Sequence, residues 1–477
     1  MKILFVNPPN KPFTEKHILI EPIDILSLAS LCISLGHEAS FFDMDAKRLG
    51  LMDLIKQVQE NQFDKAVIVF DNHIPLHKDE TLNTIKKINK ILHEQKIEII
   101  GIGKTFTYNH DLIKKLNIDV SILEGKNTEN TLTRLLNLQN LFSENLSKIS
   151  GIIFVDNGVV VTNPPTNEEF DINDLPITCR DLVDKSDYID IKSMITSRGC
   201  INNCKFCPCK NFWGNWKGKS PELVVNEIKD LVENFGTKKI IFLDDNATVD
   251  NQRMIDICNL IKKEKTAIKL GCLCSVNTFN KEMFVSMAQA GFRWVHFGIE
   301  SGCQEVLEHC GKNFDVQKAV EIINFTKKLG LRVRTSLILD LEPITEKNLQ
   351  DTLGFIEKTM PDEIRIHYLV NRLGSEYGKN NGQISNQYIH ENKIVLQNEK
   401  SDLVLKYVNI LTRMVKNNDY SIIKKPSQWA DIEKLRGKDG KIKFVSFCPS
   451  KYGIDWWKYE TNYWNNRQNW KRKIILH

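Results

Sequence analysis

Strand-like and helix-like segments alternate along this chain in two separate stretches, and that pattern limits the fold more than any other feature. MKILFVNPP (Met1 to Pro9) is an apolar run stopped by two prolines, which reads as a buried strand ended by a turn. IDILSLASLCISLG (Ile23 to Gly36) has helical periodicity and closes on a glycine suited to a left-handed cap. HEASFFDMD then reads as a strand, followed by a helix from Gly50 to Glu60 and a strand KAVIVFD (Lys65 to Asp71). A helix from about Leu82 to Gln95 leads into IEIIGIG (Ile97 to Gly103). This order predicts a parallel sheet with helices on both faces. Ligands of such sheets sit beyond the carboxyl ends of the strands. Asn7, Asp43, Asp71 to His73 and Gly101 to Thr107 therefore border any crevice; His73 and His77 are read as solvated loop histidines.

Residues 141–188 read as a connector. GIIFVDNGVVVTNPP places Asp-Asn-Gly between two apolar runs, the signal of a two-strand hairpin. From about 189 the alternation returns. Six strands are expected: IDIKSMITS, KKIIFLDD, KLGCLCSVN, RWVHFGIE, RVRTSLILD and EIRIHYLV. Six parallel strands with helices between them predict a partial (β/α)6 barrel, with its site again at the carboxyl ends. After Gly382 the pattern turns polar and irregular, apart from a helix near 403–417. Five of the eight tryptophans fall between Trp429 and Trp470. The domain boundaries expected are 1–140, a connector at 141–188, a barrel at 189–380 and a C-terminal region at 381–477.

Composition narrows the chemistry. The 65 Lys and Arg exceed the 60 Asp and Glu by only five, an excess too small to demand a nucleic-acid partner. A short basic end at Lys471 to Lys473 does not change that. No run of eighteen apolar residues offers a membrane span, and no apolar leader opens the chain, so a cytoplasmic protein is expected. Its twelve cysteines then point to metal or catalysis rather than to disulfides.

Three of those cysteines are clustered. Cys200, Cys204 and Cys207 have the spacing C-x3-C-x2-C in a loop opened by Gly199. Three thiolates within eight residues can wrap one face of a cubic iron–sulfur cluster and leave the fourth iron open for a substrate or cofactor. A zinc knuckle completed by Cys209 and a chance grouping are the other readings of the spacing. Cys272 and Cys274 alternate along a strand and so face the same side; they read as small buried apolar residues.

With Phe206 as the aromatic in C-x3-C-x-aromatic-C, the loop resembles that of the radical S-adenosylmethionine (radical SAM) enzymes. Further matches are IIFLDDNATVD (Ile240 to Asp250), GIESG (Gly298 to Gly302), the Gly311-Lys312 pair and LRVRTSLILDLEPITEKNLQDTL (Leu331 to Leu353). The resemblance implies a [4Fe–4S] cluster on the three cysteines, with S-adenosylmethionine on the open iron. It also implies one-electron cleavage to a 5′-deoxyadenosyl radical, which takes hydrogen from an unactivated carbon. An external reductant such as flavodoxin or ferredoxin is implied. Phe206, Asp244, Asp245, Ser275, Glu300, Ser301 and Arg334 are the expected cofactor contacts. For Arg334 an ion pair with Glu300 or Asp340 is an equal alternative.

The first 140 residues resemble the cobalamin-binding-type Rossmann domain that precedes many of these enzymes. LFVNPP, the stretch Leu28 to Ala46, GIGKTF and Asp119 to Leu136 carry the likeness. Asp-x-His-x-x-Gly is absent, and the usual Gly-Gly and Gly-Glu-x-Glu are replaced by Gly101-Ile102-Gly103 and Glu124-Gly125-Lys126-Asn127. Two roles follow for this domain: cobalamin binding, or a scaffold. With cobalamin the chain is expected to methylate carbon in a small molecule or peptide. Without it, an epimerase or dehydratase is expected, with Cys448 in the aromatic segment Phe444 to Asn466 as hydrogen donor. A reading of another class is a non-catalytic zinc protein or electron carrier.

Overall fold

The computed structural model describes residues 1–9, 21–70, 79–141, 146–188, 191–367, 369, 372, 374–379, 399–418, 421–423 and 444–447. The chain splits into two compact units. Met1–Tyr188 and Asn211–Gly214 lie in the first, Ile189–Lys210 and Asn215–Tyr377 in the second.

The first unit is a seven-stranded sheet. Its strands are β1 (Lys2–Asn7), β2 (Glu38–Asp43), β3 (Lys65–Val69), β4 (Glu98–Ile102), β5 (Val120–Ile122), β6 (Ile152–Asp156) and β7 (Val159–Asn163), in the order β2-β1-β3-β4-β5-β6-β7. The first five run parallel and the last two antiparallel. The β1 and β3–β5 interiors are buried, as expected of strands covered on both faces. Asn157 (φ 47°) and Gly158 (φ 79°) both take left-handed backbone between β6 and β7. That is the two-residue turn whose twist matches paired strands, and the Asn-Gly sequence forecasts it.

The second unit carries an eight-stranded sheet and a short two-stranded one. Its strands are β8 (Lys192–Met194), β9 (Ser197–Arg198), β10 (Lys217–Gly218), β11 (Lys239–Phe242), β12 (Lys269–Cys274), β13 (Phe292–Glu300), β14 (Arg332–Ile338), β15 (Glu363–His367), β16 (Ser421–Ile423) and β17 (Phe444–Phe447). The large sheet runs β16-β17-β15-β14-β13-β12-β11-β8, all parallel, and β9 pairs with β10. All six expected strands are present in their expected order. Strands β16 and β17 extend that sheet and were not anticipated. Helices are capped where they follow the strand ends: Ser220 accepts from Leu223 N before Pro221–Glu233, and Asp250 accepts from Arg253 N before Asn251–Lys263. Val295, Phe297 and Ile299 point into the hydrophobic layer under the helices, while the alternate residues Trp294, His296 and Gly298 face the other side of the sheet and stay partly accessible.

Candidate active site

The cysteine loop leaves β9 through Gly199 (φ 88°). A Cβ there would lie 3.1 Å from Asn215 O and Trp216 Cα, so the position needs glycine for both conformation and space. Lys205 N donates to Cys310 O at 2.9 Å, and a Cβ on Gly311 would lie 2.9 Å from Asn203 O. The Gly-Lys pair thus lets two backbones approach closely beside the loop.

Each thiol has its own surroundings. Cys200 Sγ receives Asn202 N at 3.5 Å and Asn246 Nδ2 at 3.9 Å. Hydrogen bonding from Cys209 brings the Cys207 thiol down to about 7, against burial. Burial pushes Cys204 up to about 12, although the Lys312 ammonium favours its thiolate. The three half-buried thiols, with N–H, S–H and ammonium groups beside them, have the chemistry a thiolate-ligated cluster requires. Among the described residues no three His, Cys, Asp or Glu side chains converge on a single-ion position.

Asp244, Asp245, Ser275 and, through Lys312, Glu300 gather around this loop, to which Phe206 belongs. Asp244 is buried and accepts from Thr196 N (2.7 Å), Thr196 Oγ1 (2.5 Å) and Ser197 Oγ (2.7 Å), so its carboxylate clamps the start of the loop. Burial pushes its carboxyl up while those hydrogen bonds oppose the rise. Asp245 accepts from Gly199 N at 3.0 Å and is exposed. Ser275 Oγ takes Asn202 Nδ2 at 2.9 Å, tying the loop to the end of β12. Phe206 lies 6.0 Å from Lys312 Nζ, in cation–π range.

Glu300 ends β13 with φ 67°, unusual for a residue bearing a side chain, and pairs with buried Lys312 at 2.9 Å. A Cβ on Gly298 would stand 2.6 Å from Glu300 Oε1 and 2.9 Å from Lys312 Nζ, so this glycine makes room for the pair. Burial works against the Lys312 charge, but Glu300 and Cys204 hold its pKa above the usual lysine value. Ser301 Oγ meets Thr352 Oγ1 at 3.1 Å and accepts from Cys303 N at 3.1 Å.

Arg334 sits third in its seven-residue strand, bonds Glu363 at 2.5 Å and lies over the Trp294 ring at 4.9 Å. Neither Glu300 nor Asp340 is its partner. The register decides this: Arg334 stands opposite Glu363 on the adjacent strand. Burial alone would raise the Glu363 carboxyl, but Arg334 and Arg332 hold it below its ordinary value. The ion pair that Arg334 makes here is thus with Glu363 rather than with Glu300 or Asp340.

Sequence reasoning missed Asn202 and Asn246, whose side chains the fold brings to the loop. It also missed a row inside the barrel in which Ser336 Oγ lies 2.6 Å from His296 Nε2 and 3.4 Å from His367 Nε2. Burial and then the Arg334 charge push the His296 imidazole well below its ordinary value. Only the alternation of polar residues along β13 to β15 could have signalled that row. Cys272 and Cys274 are buried with sulfurs 3.5 Å apart, on the same side of the strand as the alternation implied. Cys448, His73 and His77 lie outside the described residues.

In the first unit, Asp43 receives Asn7 Nδ2 at 3.0 Å, the Tyr188 hydroxyl and the first N–H groups of helix Met44–Lys47. A Cβ on Gly101 would stand 2.7 Å from Ser121 Oγ, and one on Gly103 only 2.4 Å from Phe70 O. Both glycines are thus accounted for by packing within the sheet. Among the described residues the two glycines therefore give no independent sign of a corrin site.

Comparison with known proteins matches residues 194–356 to the Radical SAM superfamily. An uncharacterized methyltransferase of Pyrococcus horikoshii is 30% identical over 365 residues, 75% of this chain and 78% of the relative. This chain belongs to the radical SAM superfamily. As a radical SAM enzyme it uses a [4Fe–4S] cluster and S-adenosylmethionine, and the zinc-protein and electron-carrier readings fall away. In structure it resembles the radical S-adenosylmethionine methyltransferase TsrM of Kitasatospora setae (TM-score 0.68, 16% identity, 79% of this chain and 74% of that one). It also resembles the cobalamin-dependent radical enzyme OxsB (TM-score 0.65, 18% identity), covering 86% of this chain but 61% of OxsB. These likenesses establish the shared fold, a Rossmann-type sheet followed by a radical SAM barrel.

Proposed function

We propose that this radical SAM enzyme transfers a methyl group to carbon in a small molecule or peptide, with Cys200, Cys204 and Cys207 as its cluster ligands. The observation that carries the reading is the thiol loop, set at the carboxyl end of a parallel barrel in a chain whose 30%-identical relative is named a methyltransferase. When bound, the cluster and S-adenosylmethionine supply one-electron cleavage of a carbon–sulfur bond and the means to activate an unactivated carbon.

The chain's own part is to hold and shield. Asp244 fixes Thr196 and Ser197, where the loop starts. Gly298 leaves room for the Glu300–Lys312 pair, which keeps a carboxylate fixed at the strand end for the amino and hydroxyl groups of S-adenosylmethionine. Asp245 and Ser275 hold the loop, Ser301 follows Glu300, and Phe206 packs against Cys303, Val306, Cys310 and Leu341. Electrons come from an external one-electron reductant.

In this reading residues 1–140 are a cobalamin-binding-type domain and 381–477 a lid or substrate-contacting region. Support for cobalamin comes from the printed names of TsrM and OxsB structures that hold it. Among the described residues none supports it on its own, so no step is derived through it. The test is to incubate the anaerobic, iron-loaded protein with reductant, cobalamin and S-adenosylmethionine labelled in its methyl group, together with a metabolite extract. Label on a new carbon–methyl product supports the proposal. 5′-Deoxyadenosine with unmethylated, rearranged product contradicts methyl transfer.

A further inference from the structure

Asn246 follows Asp245 in the loop after β11 and is only 1% exposed. Its Oδ1 accepts from Thr248 N at 3.3 Å, Thr248 Oγ1 at 3.1 Å and Thr278 Oγ1 at 3.3 Å. The Thr248 N–H can only donate, and that settles which way the amide faces; the two hydroxyls also meet each other at 2.7 Å, and Ser275 O lies 3.1 Å from Thr278 Oγ1. Its backbone carbonyl takes Trp216 Nε1 at 3.1 Å, which holds the main chain as well. The NH2 end then points to Cys200 Sγ, 3.9 Å away.

An enclosed amide with unmet hydrogens costs about 1–3 kcal/mol. A neutral thiol is a weak acceptor and meets that need poorly. A thiolate bound to iron accepts far better, so this orientation makes most sense toward a ligated sulfur. Cys200 also receives the main-chain N–H of Asn202 at 3.5 Å.

We infer that Asn246 is a positioning residue that sets the cluster's reduction potential by donating a hydrogen bond to the Cys200 sulfur. N–H groups on a ligating sulfur draw electron density from it and stabilise the added negative charge of the reduced cluster, which raises the potential. Asn246 and the Asn202 amide act together on one of the three sulfurs. Cys207 instead has the Cys209 thiol, and Cys204 has the Lys312 charge. The inference rests on family membership alone and holds whichever product the enzyme makes.

The experiment uses the full chain, loaded anaerobically with iron and sulfide, and follows the electron paramagnetic resonance signal of the reduced cluster through a redox titration. Asn246→Ala removes the donor. Asn246→Asp also removes the amide donor but keeps the oxygen that Thr248 and Thr278 need, which guards against simple misfolding. Asn277→Ala serves as a control, because it cuts an exposed tether of the same loop, to Asn202 at 2.9 Å, without touching a sulfur. The potential should fall in both Asn246 variants at unchanged iron content and stay put in Asn277→Ala. Wild-type potentials in both Asn246 variants overturn the inference. Loss of iron from both, in protein with native circular dichroism, also overturns it, since Asn246 would then be a structural post for the loop.

Discussion

At Glu300 and Lys312 the chain commits two opposite charges to a nearly closed space, 2.9 Å apart. Removing one member leaves the other without a counter-charge, which costs about 3–5 kcal/mol in buried pairs. Lys312→Met should therefore destabilise the protein by about that much in chemical denaturation, and adding Glu300→Gln should recover most of it. Loss below about 1 kcal/mol would show that the pair is solvated. Glu300→Gln alone should keep full iron content but weaken S-adenosylmethionine binding by about 10- to 100-fold, the range of one charge-assisted hydrogen bond worth about 1.5–3 kcal/mol. Unchanged affinity by calorimetry would remove Glu300 from the site. A second ionisable pair is purely structural. His93 Nε2 lies 3.1 Å from both Asp119 oxygens, and that hydrogen bond raises the His93 pKa against the effect of burial. A raised histidine stabilises the fold fully below its unfolded pKa of about 6.5 and loses that contribution as pH rises through the higher folded value. The stability gap between wild type and His93→Gln should thus be widest near pH 6 and narrow above it. A gap that stays flat or widens with pH would show that the proton is not shared.

Among the elements, the segment after the β6–β7 hairpin is pinned to the first unit by a closed ion pair. Arg180 Nε meets Glu21 Oε2 at 3.2 Å, with the two side chains 0% and 1% exposed. Arg180→Met should destabilise the protein by about 3–5 kcal/mol, and the double variant Arg180→Met/Glu21→Leu should regain most of it, because packed apolar groups often replace a buried pair without loss. A double variant as unstable as the single one would contradict this account. Elements of this kind differ in how far the sequence reveals them. The six barrel strands are legible because each is a run of apolar or β-branched residues long enough to stand out. Strands β16 and β17 are three and four residues long and gain their identity from pairing beside β15, which no local pattern encodes. The same limit governs the site. The cysteine spacing is a local signal and names the loop at once. Arg334 could have met any of several carboxylates, and the parallel register alone brings it opposite Glu363. Asn246 was hidden for a like reason, since its partners Thr278 and Cys200 lie 32 and 46 residues away.

On the scale of the whole molecule, one mixed sheet with five parallel strands and one parallel sheet are built by the same rule, and the cysteine loop with its neighbours Asp244 and Ser275 lies at the carboxyl ends of strands of the second. Among the described residues no helix is long and apolar enough to cross a membrane. The thiols of the loop are the one feature on which the assignment of chemistry depends. The most direct test is therefore to count 5′-deoxyadenosine released from S-adenosylmethionine by anaerobic, dithionite-reduced protein, comparing wild type with the Cys200→Ala/Cys204→Ala/Cys207→Ala variant. Wild type should carry about four irons per chain, as a [4Fe–4S] cluster requires, and release 5′-deoxyadenosine; the variant should carry none and release none. Release of 5′-deoxyadenosine by the triple variant at the wild-type rate would contradict the assignment of these three cysteines as the catalytic cluster's ligands.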